Sequence, residues 1–167
     1  MNKDYLEELK NLELYEDFYR LKCQKDSVLW SGFDKEPDKE LFKEYVVKNL
    51  IENPKNHLFL LRDGNTNEVM GYCQFNEEDN GICEGRGIGL FRKFQGCGLA
   101  STMNILLVEK AKGYGMKYMY AWCSEKNIVS IRALIDAGFK KTNLTEIRHM
   151  SVLKEDHTFY KWEIHLL

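Results

Sequence analysis

Ile88-Gly89-Leu90-Phe91-Arg92-Lys93-Phe94-Gln95-Gly96-Cys97-Gly98-Leu99-Ala100 runs from an apolar, glycine-spaced segment through a polar loop into an amphipathic stretch. A strand that ends in such a loop and opens a helix is a ready anion site. Small residues let a ligand reach the backbone, and the free N–H groups and dipole of the helix start face negative charge. Gly96, Gly98 and the Ala100-Ser101 helix start supply these features. No Gly-Lys-Ser/Thr follows and the dinucleotide order GxGxxG is absent, which excludes both common nucleotide loops. Gly85, Gly87 and Gly89 do not restore that order, because they precede the strand end and no helix follows them. Taken alone, a glycine pair before a helix also makes an ordinary tight connection.

Downstream, Leu99, Met103, Leu106, Leu107 and Lys110 share one face of a helix spanning Gly98 to Lys112, which Gly113 and Gly115 stop. Lys117 to Cys123 reads as a short aromatic strand, and Ile128 to Ala137 as a helix closed by Gly138. The end of the chain alternates, with Tyr160, Trp162, Ile164 and Leu166 on one side. Paired with Glu146 to Leu153, it makes a hairpin turning at Lys154 to His157. Upstream, Glu68 to Phe75 and Gly81 to Phe91 flank a polar tip, Asn76 to Asn80, and His57 to Leu61 is a further strand. Helices are expected over Leu14 to Cys23 and from Asp38 to Asn53-Pro54, the latter with Leu41, Tyr45, Val46, Asn49 and Leu50 on one side. Tyr5 to Leu9 fits a first strand or a helix start. This alternation predicts one α/β (α+β) domain over residues 1–167.

Bulk properties exclude several classes. The 167 residues carry a net charge of −2, with no basic run long enough to track phosphates, so a nucleic-acid partner is not expected. The N-terminus has no apolar leader region and no segment is long enough to span a bilayer. Cys23, Cys73, Cys83, Cys97 and Cys123 form no CxxC pair, which implies reduced thiols in a cytoplasmic setting and no metal. Cys73 and Cys83 are equidistant from a turn near Glu78, so they can face each other across the hairpin, as free thiols or as a disulfide.

Gln95-Gly96-Cys97-Gly98-Leu99-Ala100 resembles the Q/R-x-x-G-x-G/A motif of the GNAT (GCN5-related N-acetyltransferase) superfamily. The order that follows is similar too: helix, strand, Asn127, short helix, Gly138-Phe139. Leu12 to Asp17 looks like the start of that family's first helix. The resemblance covers Glu68 to Lys141 well and the flanks loosely. It implies a mixed, mostly antiparallel twisted sheet of six to seven strands with about four helices. It also implies acetyl-CoA as acyl donor, with the pyrophosphate on the backbone of Gln95, Gly96, Cys97, Gly98, Leu99, Ala100 and Ser101. The pantetheine arm would lie along Leu90 and Phe91 like an added strand. Asn127 and Ser130 match positions that contact the arm, although Asn127 also suits a helix N-cap. Arg92 and Lys93 either add charge there or are solvated.

Amine acetylation needs a neutral amine, a polarised thioester carbonyl and a proton for the leaving thiolate. A backbone N–H near Leu90 can hold the carbonyl. Glu84, eleven residues before Gln95, matches the spacing of a catalytic glutamate in some family members, and it equally suits an ion pair with Arg86. Glu77, Glu78 and Asp79 make a solvated turn or an acidic rim that attracts a cationic amine. The resemblance fails at the acid, because Leu134 stands where many members carry a tyrosine. Tyr120, Tyr160 and Cys123 are the substitutes available, Tyr160 being the catalytic candidate beside Glu84. His57, His149, His157 and His165 fit surface or strand-edge positions, and Trp30, Trp122 and Trp162 fit core or cleft wall.

The reading is an acetyl-CoA-dependent N-acetyltransferase acting on a primary amine, most simply of a small molecule, by direct attack in a ternary complex. The rival is a non-catalytic acyl-CoA-binding module of the same fold. Acceptor choice falls to Cys23 to Lys43, where Trp30-Ser31-Gly32-Phe33 can wall a pocket, and to the last hairpin. Monomer and homodimer are both open, since the terminal strand can pair within one sheet or across two chains.

Overall fold

A computed structural model of the chain describes residues 3–31 and 35–167. Seven strands form one sheet in the order β1-β2-β3-β4-β5-β7-β6. They are β1 (Tyr5–Glu8), β2 (Asn56–Arg62), β3 (Val69–Glu77), β4 (Ile82–Leu90), β5 (Tyr118–Ser124), β6 (Lys140–Met150) and β7 (Glu155–His165). The helices are α1 (Tyr15–Lys22), α2 (Lys25–Ser31), α3 (Lys39–Val46), α4 (Leu99–Gly113) and α5 (Ile128–Asp136). Tyr5 to Leu9 thus resolves as an edge strand pairing antiparallel with β2.

β2 is buried on both faces from His57 to Leu61, as its unbroken apolar run requires. Leu58 and Leu60 face α1 and α3 with Phe18, Leu21, Phe42 and Tyr72, while Phe59 and Leu61 face the α4 side with Phe75, Met103 and Leu107. Two helical faces differ from expectation. On α3 the buried stripe is Phe42, Val46 and Leu50, with Leu41 and Tyr45 exposed; a π turn over Val47–Ile51 keeps Leu50 in line. On α4, Asn104, Val108 and Ala111 join Met103 and Leu107 inside, and Lys110 is exposed. α5 ends as expected: Phe139 N–H donates to Leu134 O and Gly138 N–H to Ile135 O, with Gly138 at φ +96°.

The feature that positions the site is the departure of β5 from β4. The two strands run parallel but pair only at Ile82–Tyr118, Cys83–Met119 and Glu84–Tyr120. β5 then pairs along its whole length with β7, and β4 continues alone on that side to Leu90. A one-residue bulge between Gly85 and Ile88 bends β4, and Gly87 occupies it at φ +113°. The hairpin turns at Asp79–Gly81 rather than about Glu78, which breaks the expected facing of two thiols: Cys73 pairs with Ile88 and Cys83 with Glu77. Both are free and buried, and burial pushes the Cys83 thiol up to about 12. The last hairpin starts at Lys140 and turns before Glu155, so His157 lies inside a strand. That strand stays within the sheet, between β5 and β6.

Candidate active site

Where β4 and β5 separate, a cleft of about 850 Å³ passes between them, lined by Glu84 to Leu90 on one wall and Ala121 to Ser124 on the other. The backbone of β4 is available there. Phe91 N–H donates to Met70 O at 2.8 Å, which makes that residue pair the hydrogen-bonded one with β3. By antiparallel alternation, Leu90 and Ile88 turn their N–H and C=O groups the other way, toward the cleft.

At the mouth lies the glycine loop. Gly96 and Gly98 sit at φ +81° and +83°, and a Cβ on either would meet nothing within 4 Å. The backbone conformation, rather than crowding, therefore calls for glycine. Gly98 begins α4 without any side-chain cap, so the first-turn amides of Leu99, Ala100 and Ser101 lack side-chain partners. Gln95 acts as a strut, its Nε2 donating to Leu90 O (3.0 Å) and Asp26 Oδ2 (2.9 Å). Gln24 doubles the clasp, donating to Leu90 O at 2.8 Å and accepting from Arg92 N–H at 3.0 Å. The Leu90 carbonyl is thereby occupied, leaving its N–H. Ser101 Oγ donates to Asp136 Oδ2 on α5 at 2.6 Å.

Of the residues singled out in sequence, Leu90, Gln95, Gly96, Gly98, Leu99, Ala100, Ser101, Asn127 and Ser130 line the cleft. Asn127 caps α5, its Oδ1 accepting from Ser130 N–H at 3.3 Å. Phe91 and Cys97 are not among the lining residues: the Phe91 ring packs toward α1 beneath Arg20, and Cys97 Sγ donates to Phe94 O. Lys93 pairs with Glu68.

Glu84 lines the cleft at its narrow end, with Arg86 Nε at 3.5 Å and the Tyr120 hydroxyl at 3.4 Å. Tyr120 also donates to Glu78. Burial and that bond to Glu78 push its phenol above the ordinary value, so it stays a donor. Tyr160 does not line the cleft; it packs against the α4–α5 core with Lys141 Nζ 3.8 Å over its ring. Leu134 does line it, buried. The Cys123 thiol on the β5 wall is pushed up to about 12 by burial.

The far side is walled by Trp30 and Ser31 of α2, Trp122, Phe159 and Arg148, the last stacked on Phe159 at 4.5 Å. Gly32 and Phe33 lie outside the described residues. Sequence reasoning missed α2, whose Ser27 and Val28 face inward without a recurrent apolar stripe. It also missed two buried histidines, His57 and His157, placed at the surface by expectation but 6% and 2% exposed. The two-residue spacing of His157 and Phe159, which puts them on one face of a strand, was the signal available for the second.

No curated protein matches the chain by sequence. Among solved structures, spermidine N-acetyltransferase from Vibrio cholerae in complex with CoA and spermine aligns with a TM-score of 0.85 at 13% identity, covering 98% of this chain and 95% of that one. A GNAT-family acetyltransferase from Bacillus anthracis aligns at 0.78, with 18% identity and coverages of 99% and 97%. Aminoglycoside acetyltransferase AAC(6')-Ib in complex with coenzyme A gives 0.77, with 15% identity and coverages of 98% and 95%. These likenesses carry the fold. The family model described as Acetyltransferase (GNAT) family matches residues 11–139, well over half of the sequence. The chain belongs to the GNAT acetyltransferase family, the acetyl-CoA-dependent N-acetyltransferases.

Proposed function

We propose that this protein transfers an acetyl group from acetyl-CoA to a primary amine of a small molecule, by direct attack of the amine on the bound thioester. The observation that carries the reading is the unpaired edge of β4 leading straight to the uncapped, glycine-bearing start of α4. The first suits the amide-rich pantetheine arm and the second the pyrophosphate, with Gln95 to Ser101 supplying backbone donors and Asn127 and Ser130 flanking the arm. A cleft-facing backbone N–H near Leu90, such as that of Ile88, can hold the thioester carbonyl.

Glu84 is the proposed base. It lies at the narrow end of the cleft, where an amine arriving from the Trp30–Trp122 side would meet the thioester. Its contact with Arg86, itself half exposed, leaves one carboxylate able to accept a proton directly or through water. Two structural neighbours bind or act on polyamines and aminoglycosides, as their names state, so such amines come first as acceptors. Lys22, Arg86 and Arg148 on the wall extend the choice to amines that also carry a carboxylate or phosphate. The reduced cysteines favour a cytoplasmic setting.

Leu134 in the cleft favours one second reading, an acyl-CoA-binding module without turnover. A mass-spectrometric screen of amines with acetyl-CoA separates the two. Turnover of at least one amine, cut about 10²-fold or more in Glu84→Gln with acetyl-CoA affinity kept, supports the enzyme. Binding of acetyl-CoA with no amine acetylated supports the module.

A further inference from the structure

We infer that Ser124, His157 and Glu155 form a proton relay that protonates the departing thiolate of CoA, a role Leu134 cannot fill; the inference rests on the acetyl-CoA reading of the cleft. The substitutes that the sequence offered for the missing tyrosine are engaged or lie off the cleft. The Tyr120 hydroxyl donates to Glu78, and Cys123 Sγ lies against the carbonyls of Ser124 and Asn127 at 3.6 and 4.0 Å. Tyr160 is off the cleft.

Ser124 ends β5 and lines the cleft wall, only 1% exposed. Beyond the last β4–β5 pair, Glu84–Tyr120, the strands separate, and Ile88 and Ser124 line the two walls of the gap. The thioester end of an arm laid along β4 passes between them. Behind Ser124, His157 Nδ1 stands 3.0 Å from its Oγ, and His157 Nε2 stands 2.8 Å from Glu155 Oε1. Trp30 of α2 covers the imidazole at 5.9 Å. The charged groups around it are Glu155 on its own strand, Arg148 opposite on β6, and Lys126, whose Nζ lies 3.5 Å from Glu155. His57 offers no such path, since both its nitrogens face carboxylates.

Valence gives the relay a direction. Ser124 Oγ already accepts from Lys126 N–H at 3.2 Å. When His157 carries both protons, its Nδ1–H takes the second lone pair of that oxygen, and the serine O–H can then only point elsewhere, into the cleft. In the reaction the amine nitrogen bonds to the carbonyl carbon and the C–S bond breaks, its electron pair going to sulfur. Ser124 gives its hydroxyl proton to that sulfur and takes the Nδ1 proton of His157. Water at the half-exposed Glu155 recharges the imidazole. The amine sheds two protons through Glu84 and water, so one proton is released per turnover.

The test follows the ring-nitrogen NMR signals of His157 while CoA, or desulfo-CoA lacking the sulfur, is added to the whole protein. The relay predicts a shift with CoA and little with desulfo-CoA. In Ser124→Ala, which binds CoA within about threefold of the parent, the CoA shift should vanish; kcat should fall about 10²-fold at an acetyl-CoA KM that moves far less. CoA binding without a response at His157, or an equal response to desulfo-CoA, would overturn the relay and leave the cofactor site standing. Failure of CoA to bind at all would remove both.

Discussion

The two edges of β4 differ in what they do with the same backbone groups. Toward β3 the strand is paired from Glu77–Cys83 to Gly71–Leu90, interrupted only by the bulge. Toward β5 it is paired for three residues and then left open. The contrast teaches that the protein concentrates stability on one side of this strand and recognition on the other. It also sorts substitutions: those on the paired side should cost melting temperature, and those on the open side should cost binding or turnover.

The largest effect expected on the paired side is at His57, on β2. Its Nδ1 and Nε2 lie 2.6 Å from Glu8 and from Glu77, and Tyr114 donates to Glu8 at 2.6 Å. His57→Gln strands two partly buried carboxylates and should lower stability by about 3 kcal/mol, read by thermal melting. The deficit should depend on pH. Burial raises the Glu8 carboxyl, but bonds from Tyr114 and His57 outweigh it and hold it below its ordinary value of 4.5. A depressed carboxyl contributes stability above its unfolded value and loses it as pH falls through the folded one. The deficit of the variant is therefore full at neutral pH and fades in acid. A deficit that grows in acid would break the assignment.

Next come two glycines that sharpen the contrast. A Cβ on Gly89 would lie 2.5 Å from Tyr72 Cε1, in a ring that is buried against Phe18. Gly89→Ala should cost about 1–3 kcal/mol of stability by melting. At Gly98 there is open space, and only φ +83° resists. Gly98→Ala should cost about 1 kcal/mol of stability, while the disturbed loop loses roughly tenfold in acetyl-CoA affinity. If Gly98→Ala lost stability and kept its affinity, the open side would not be a recognition edge.

How far the sequence could be read follows the same division. Local signals held: the strand–loop–helix at Gln95 to Ala100, the Asn127 cap and the Gly138 stop all depend on neighbours within a few residues. The separation of β5 from β4 depends on strands more than thirty residues apart, and its local cause, the bulge at Gly87, hides among three evenly spaced glycines. α2 is illegible because Lys25–Ser31 lacks a recurrent apolar stripe; its contacts are long-range, Asp26 to Gln95 and Trp30 to His157. On α3, Leu41 and Phe42 are adjacent apolar residues, and only packing against Phe18 and Tyr15 decides which turns inward. The polar run Lys154-Glu155-Asp156-His157 reads as a turn and puts His157 in it. Its ring packs beside Trp30, on a helix the sequence did not announce.

The open edge of β4 and the start of α4 are the proposed seat of acetyl-CoA. Calorimetric titration of acetyl-CoA into the reduced protein, with CoA and ADP for comparison, tests it most directly. One saturable site per chain is expected, binding acetyl-CoA far more tightly than ADP, because the pantetheine arm adds its hydrogen bonds along β4. Absence of binding at millimolar donor, or equal affinity for ADP, would contradict it.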